Sequence, residues 1–373
     1  MLPQARGRLL ACRSRGLSDL ALGPSRLLDN SARQRVTLEF QMLHDDLRLR
    51  LTLALRQIRG VGPVTARESI RAMSGCPQTA DELSDALDAI SERVKRPIQA
   101  SVSQLELAFS GADQVIEECA RSGIGIAIEG DAKLWDGVWN IPKPPLMLFY
   151  RGRDTSAAAV PGVAVIGTRE PSSYGMESGR RIAMACVQNG LAVVSGLAVG
   201  CDTAGHRGAL DSGGPTIAVL AHGLHTVYPR QNRELAEEIV DVGGMLISEY
   251  APGTELRSNQ LVERDRLQAG LSRGLIVIET DVEGGTMHTV RFAQEQGRLI
   301  ACINHKPDMR DAPKSRGNQK LIREGIATPL DSKEEVAAYL ERLTGKSSAV
   351  GAPDPTSVRQ IQQEFNFDKP ASA

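Results

Sequence analysis

Aromatic residues make up only 3% of this 373-residue chain, too few for a broad base-stacking platform. No apolar run approaches the ~20 residues that a membrane-spanning helix needs, so no membrane association is expected. A surplus of positive charge is also missing. Lys and Arg number 44 against 45 Asp and Glu, so any grip on a polyanion has to come from a local patch. The six cysteines (Cys12, Cys76, Cys119, Cys186, Cys201 and Cys302) form no CxxC pair. Reduced, mostly buried thiols in a cytoplasmic protein fit that scatter. His222, His225, His288 and His305 lack metal-ligand spacing. Neither GxGxxG nor GxxxxGK[ST] occurs, so no dinucleotide or ATP site is motivated and no cofactor is expected. Ser195 stands in Ser-Gly-Leu-Ala rather than in a GxSxG nucleophile elbow.

What is present divides by pattern. Residues 1–42 are rich in Arg and poor in acids, without a secretory h-region or a clean amphipathic period. They are expected to be a disordered leader or an extension upstream of the true start, with Met42 as a candidate initiator. A transit peptide is the other reading. Residues 43–123 read as a small helical domain. Leu47, Leu51, Leu55 and Ile58 line one helix face and lead into Gly60-Val61-Gly62-Pro63. A Gly-hydrophobic-Gly turn between helices is either a helix-hairpin-helix contact to a DNA phosphate or merely a tight αα turn. Residues 124–345 carry strands alternating with helices, which implies a mostly parallel, doubly wound Rossmann-like α/β sheet. Ile124 to Ile128 reads as strand-like and opens a Pro-rich connector that ends in a strand at Leu146 to Tyr150; Arg264 to Leu271 reads as a helix, and the last clear strand is Leu299 to Ile303. Residues 346–373 read as a disordered tail.

The turns at the strand ends are the candidates for chemistry. Gly167-Thr168-Arg169, Ser195-Gly196, Gly223 and Gly284-Gly285-Thr286 should all lie at C-terminal ends of parallel strands. Helix N-terminal amides favour an anion there, and Arg169 adds a fork for phosphate. Arg230, Arg264 and Arg266 are expected near the same edge. A basic run (Lys306, Arg310, Lys314, Arg316, Lys320, Arg323) surrounds Gly317-Asn318 and reads either as part of the patch or as a solvated loop. Asp202 and His206 share a helix face and are expected to be structural, Asp202 as a cap.

A longer series resembles the DprA/Smf DNA-processing proteins. It comprises Ile166-Gly167-Thr168-Arg169, Ser195-Gly196-Leu197-Ala198-x-Gly200-x-Asp202, Tyr228-Pro229-x-x-Asn232, Arg264-x-Arg266 and Gly317-Asn318. The resemblance spans roughly residues 145 to 330. It implies a non-enzymatic, dimeric protein that binds and protects single-stranded DNA and hands it to the RecA recombinase in natural transformation. By motif match it implies a phosphate contact for Arg169, with Thr168 in the place of Ser, and for Arg230, Arg264 and Arg266. Joined to the strand-end turns, the expected phosphate or DNA contacts are Gly167, Thr168, Arg169, Ser195, Gly196, Gly200, Arg230, Arg264, Arg266, Gly284, Gly285, Thr286 and Asn318, with Gly60 and Gly62 as a secondary contact. Asp265 stands where such proteins carry Asn, Leu261 where they carry Phe, and Gly284 to Thr289 replaces a Ser-Gly-Ser-type turn. Those departures keep open a second reading, a nucleotide sensor or nucleotide-processing enzyme similar to the lysine-decarboxylase-like proteins, with Asp202, Glu279 or His288 near the sugar. A scaffold that retains only the fold is a third.

Overall fold

Short aliphatic runs without polar alternation become strands buried on both faces, and five such runs supply the centre of the sheet. The structure, a computed structural model, describes residues 46–345 except 130, 132–135 and 154. The expected leader with Met42, Cys12 and the expected tail lie outside the described residues. Nine strands form one sheet in the order β1-β2-β6-β5-β4-β3-β7-β8-β9. They are β1 (Gly125–Ile128), β2 (Met147–Gly152), β3 (Gly162–Ile166), β4 (Ala192–Ser195), β5 (Thr216–Leu220), β6 (Met245–Ser248), β7 (Gly274–Val277), β8 (Leu299–Ile303) and β9 (Thr328–Leu330). β1 pairs antiparallel with β2, and β2 with β6; every other pairing is parallel.

The helical region comprises α1, whose described part runs 46–57, then α2 (Pro63–Ala72), α3 (Ala80–Ile90) and α4 (Val102–Arg121). Short helices α5 (Asp136–Trp139) and α6 (Ser156–Ala159) flank β2. The crossovers are α7 (Ser173–Gln188), α8 (Cys201–Asp211), α9 (Arg233–Asp241), α10 (Ser258–Gly270), α11 (Thr286–Glu295), α12 (Arg316–Arg323) and the closing α13 (Lys333–Thr344). Strand pleating divides the core by alternation. Val163 and Val165 of β3 join Ile182 and Tyr339 on one face, while Ala164 and Ile166 join Ala269, Val290 and Leu321 on the other.

The helical region shares its core with the sheet. Leu51, Leu55, Leu83 and Leu105 belong to one apolar cluster with Phe149 of β2, Leu246 of β6, and Leu197 and Leu220 at the ends of β4 and β5. Arg67 reinforces the junction by pairing with Glu129 and donating to the Pro144 and Pro145 carbonyls at 2.9 and 3.0 Å.

The strand-like Ile124 to Ile128 and the strand ending the connector are β1 and β2, which extend the sheet with antiparallel pairings. Two expectations change. The helix expected from Arg264 starts at Ser258. The basic run is not one loop: it contains α12, and β9 follows it. The helix is hard to read because its eight residues, RGNQKLIR, bury only Gly317, Asn318 and Leu321. β9 is a three-residue edge strand containing Pro329, tolerated there because an edge position can lack a donor.

Candidate nucleic-acid interface

The chain leaves β3 in one direction through β4, β5 and β6, and later returns to fill β7, β8 and β9 on the other side of β3. The topological switch point, where open α/β sheets place ligands, therefore lies beyond the ends of β3 and β7. Backbone bonds weld the turns here. Thr168 N–H donates to the Glu279 carbonyl at 2.7 Å, and Cys201 N–H to the Thr168 carbonyl at 3.1 Å. The second contact presses the β4–α8 turn on the β3–α7 turn. Gly200 makes the approach possible: its φ is 85°, and a Cβ there would overlap the Thr168 and Arg169 backbone. Leu197, in the same turn, is fully buried yet holds a φ of 62°, an uncommon conformation for a branched side chain.

The anion slots expected on this edge are mostly filled from within. At the start of α7, Ser172 caps the helix through its hydroxyl, which accepts from Gly175 N–H at 3.0 Å. The buried Glu279 carboxylate accepts from Ser172 N–H at 2.8 Å and from the Ser172 hydroxyl at 2.6 Å. His305 Nε2 lies 3.5 Å from the same carboxylate. Burial pushes the Glu279 pKa up, but the bonds from His305 and Ser172 outweigh it and hold the group below the usual value. Beyond β4, one oxygen of Asp202 accepts from Gly196 N–H at 3.1 Å and Ala198 N–H at 3.2 Å. Asp202 therefore binds the turn before its own helix instead of capping that helix. Burial pushes its carboxyl upward against the pull of Arg264 and these amides. His206 bonds the Thr216 hydroxyl at 2.7 Å, and burial lowers its pKa to about 3. After β5, Gly223 N–H is taken by the Thr254 carbonyl at 3.0 Å.

Gly284-Gly285-Thr286 is different. No side chain caps α11, and Gly285 is exposed. Met287 and His288 N–H turn back to the carbonyls of Gly284 and Gly285 at 2.9 and 3.0 Å. Among the described residues, no carboxylate accepts from the amides of Gly284 to His288 as Glu279 does from that of Ser172.

The expected arginines separate into two pairs. Arg169 and Arg230 are exposed, and neither guanidinium makes a hydrogen bond or ion pair with another described residue. Asn232 brings their turns together by donating to the Leu197 carbonyl and the Thr203 hydroxyl, both at 2.9 Å. The segments that carry Arg230 and Arg169 thus both adjoin the Leu197-to-Gly200 turn. Arg264 and Arg266 are turned inward, each 6% exposed, which removes their forks from a ligand in this arrangement. Arg264 donates to the Val219 carbonyl and lies 3.2 Å from Asp265. Arg266 grips Glu249 with one nitrogen at 2.8 and 2.6 Å and donates to the Lys143 and Glu263 carbonyls at 2.9 and 2.7 Å. Gly196 makes room for Arg264, since a Cβ there would overlap its guanidinium.

Two further expected contacts are also internal. The Ser195 hydroxyl donates to the Val165 carbonyl at 2.7 Å. The fully buried Asn318 amide donates to the Ile278 and Ile303 carbonyls at 2.9 and 3.0 Å, while its oxygen accepts from Thr280 N–H at 3.0 Å. Gly60 and Gly62 form the expected αα turn in the helical region, with open space around both. Lys314, counted at first only in the basic run, lies 3.5 Å from Glu170 and so flanks the Arg169 turn. A charge run carries no sign of which of its members returns to the switch point.

Among the described residues, no group of three or more His, Cys, Asp or Glu is placed to hold a metal ion. No described helix is long and apolar enough to cross a membrane.

A mostly parallel sheet wound both ways from β3, with antiparallel strands added at one edge, defines an extended Rossmann-like protein. The model of the DNA recombination-mediator protein A family matches residues 127–341, and the chain belongs to that family. It is 32% identical to the Smf protein of Synechocystis over 289 residues, 77% of this chain and 71% of that protein. It is 37% identical to the DNA processing protein DprA of Streptococcus pneumoniae over 215 residues, 58% of this chain and 73% of that one. The solved Streptococcus pneumoniae structure superposes with a TM-score of 0.63 at 28% identity, covering 76% of this chain and 95% of that one. The DprA of Helicobacter pylori, solved in connection with that protein's single-stranded DNA binding mode, gives 0.53 at 25% identity over 60% and 97% of the two chains.

Proposed function

We propose that this protein binds the backbone of single-stranded DNA across the sheet edge between Arg169 and Arg230. The observation that carries this reading is the contrast at that edge. Two unpaired guanidinium groups stand exposed beside turns whose amides are already held by Asp202 and whose leading helix start is held by Glu279. A nest of free backbone amides at a helix start is a ready site for the phosphate of a small nucleotide. A polymer can be gripped by successive side-chain cations without such a nest. Lys314 and the turn Gly284-Gly285-Thr286 extend the track past the switch point. We infer further that the protein acts without catalysis, as a cytoplasmic homodimer that protects the strand and delivers it to RecA in natural transformation.

The open α11 start is the observation that favours the second reading, a small-nucleotide sensor or enzyme. A salt titration of oligo-dT binding separates the two when paired with a thermal-shift screen of mononucleotides. The DNA reading expects affinity to fall steeply with salt, and it fails if a mononucleotide stabilises the protein more than oligo-dT does.

A further inference from the structure

We propose that Tyr228 stacks on a nucleobase of the bound strand, an inference that rests on the single-stranded DNA reading above. Tyr228 is 48% exposed and is the one aromatic among the described residues that stands out from the surface. Exposing an aromatic face costs solvation, and in a chain with so few aromatics every other described Phe, Tyr or Trp is buried or partly buried. Its place is specific. Tyr228 lies two residues before Arg230, at most ~7 Å along the backbone, so a ring and a cation are offered side by side.

The loop that presents them is held at both ends. His225 Nδ1 accepts from Gly253 N–H at 3.0 Å, and Asn232 clamps the far end to Leu197 and Thr203. A ring on a pinned loop loses little freedom when it stacks. A phosphate on Arg230 with its base against Tyr228 is the pairing of contacts that single-strand binders combine, and stacking tolerates any base.

The test compares oligo-dT with an abasic strand of equal length, across a salt titration, for wild type and the Tyr228→Ala and Tyr228→Trp variants. Wild type should prefer oligo-dT to the abasic strand. Tyr228→Ala should lose roughly ten-fold on oligo-dT, within the range for one stacked base, while abasic binding and the salt slope stay unchanged. Tyr228→Trp should restore the preference. Equal binding of oligo-dT by Tyr228→Ala and wild type overturns the stacking role and leaves the DNA reading standing. A loss equal on both strands overturns it too, as does a lower sedimentation mass of DNA-free Tyr228→Ala. If wild type binds neither strand, the DNA reading itself fails and takes this inference with it.

Discussion

Two pairs of arginines lie close to one sheet edge and serve opposite ends. Arg264 and Arg266, on α10, are buried and paired with Asp265 and Glu249. Arg169, in a loop, and Arg230, at the start of a 3-10 turn (Arg230–Asn232), are exposed and unpaired. A buried guanidinium stabilises the fold only while its partners remain, because the lone charge left behind is costly. An exposed one contributes little to folding and keeps its donors for a ligand. The difference is set by the acceptors nearby: α10 packs against strand-end carbonyls and the Glu249 carboxylate, whereas the loops at Arg169 and Arg230 face solvent.

The contrast is most exposed to failure at Arg266. Arg266→Ala should destabilise the protein by about 3–5 kcal/mol in urea unfolding, since Glu249 and the Lys143 carbonyl lose their donor; a loss below 1 kcal/mol would place Arg266 with the loop pair. Gly196→Ala should cost about 1–3 kcal/mol by pushing Arg264 off the Val219 carbonyl. An unchanged unfolding midpoint would show that Arg264 has room to move.

A pH series sharpens the buried side. Burial pushes Asp265 from an ordinary 3.8 up to about 6. The folded chain therefore holds a proton that the unfolded chain gives up, and this contribution is full below 3.8 and lost as pH rises through about 6. His206 runs the other way. Burial lowers it from 6.5 to about 3, so its contribution is present above 6.5 and is lost as pH falls toward 3. In wild type the two slopes oppose. Asp265→Asn should free the His206 slope, so that stability climbs with pH more steeply between about 4 and 6, by on the order of 1–2 kcal/mol. A flatter profile than wild type would contradict this. The smallest effect on folding belongs to Arg169→Ala, within about 0.5 kcal/mol of wild type. Its signature is instead a salt slope for oligo-dT reduced by about 0.7; an unchanged slope removes Arg169 from the track.

The alternating strands were legible because each is an uninterrupted aliphatic run bounded by glycine or a polar residue, as in Val163-Ala164-Val165-Ile166 before Gly167. The turns that carry the edge could be located for the same reason. Which side chains face a ligand was not legible. Arg169 and Arg264 read alike as cations at strand ends, and only the packing of Gly196 and Val219 around Arg264 separates them. Glu279 is a possible sugar contact in the nucleotide reading of the sequence. Its partners, Ser172 and His305, lie 107 residues before it and 26 after it, a distance no local pattern spans.

The carboxylates that fill the amide slots carry one more consequence. A nest that closes over a phosphate favours a chain end, where the group is accessible from several sides. With Glu279 and Asp202 in those places, neither of those two turns offers a terminus-reading socket, and a terminal phosphate is left with the uncapped start of α11. At the Arg169–Arg230 edge, closed single-stranded circles should then compete with linear strands of the same length on equal terms.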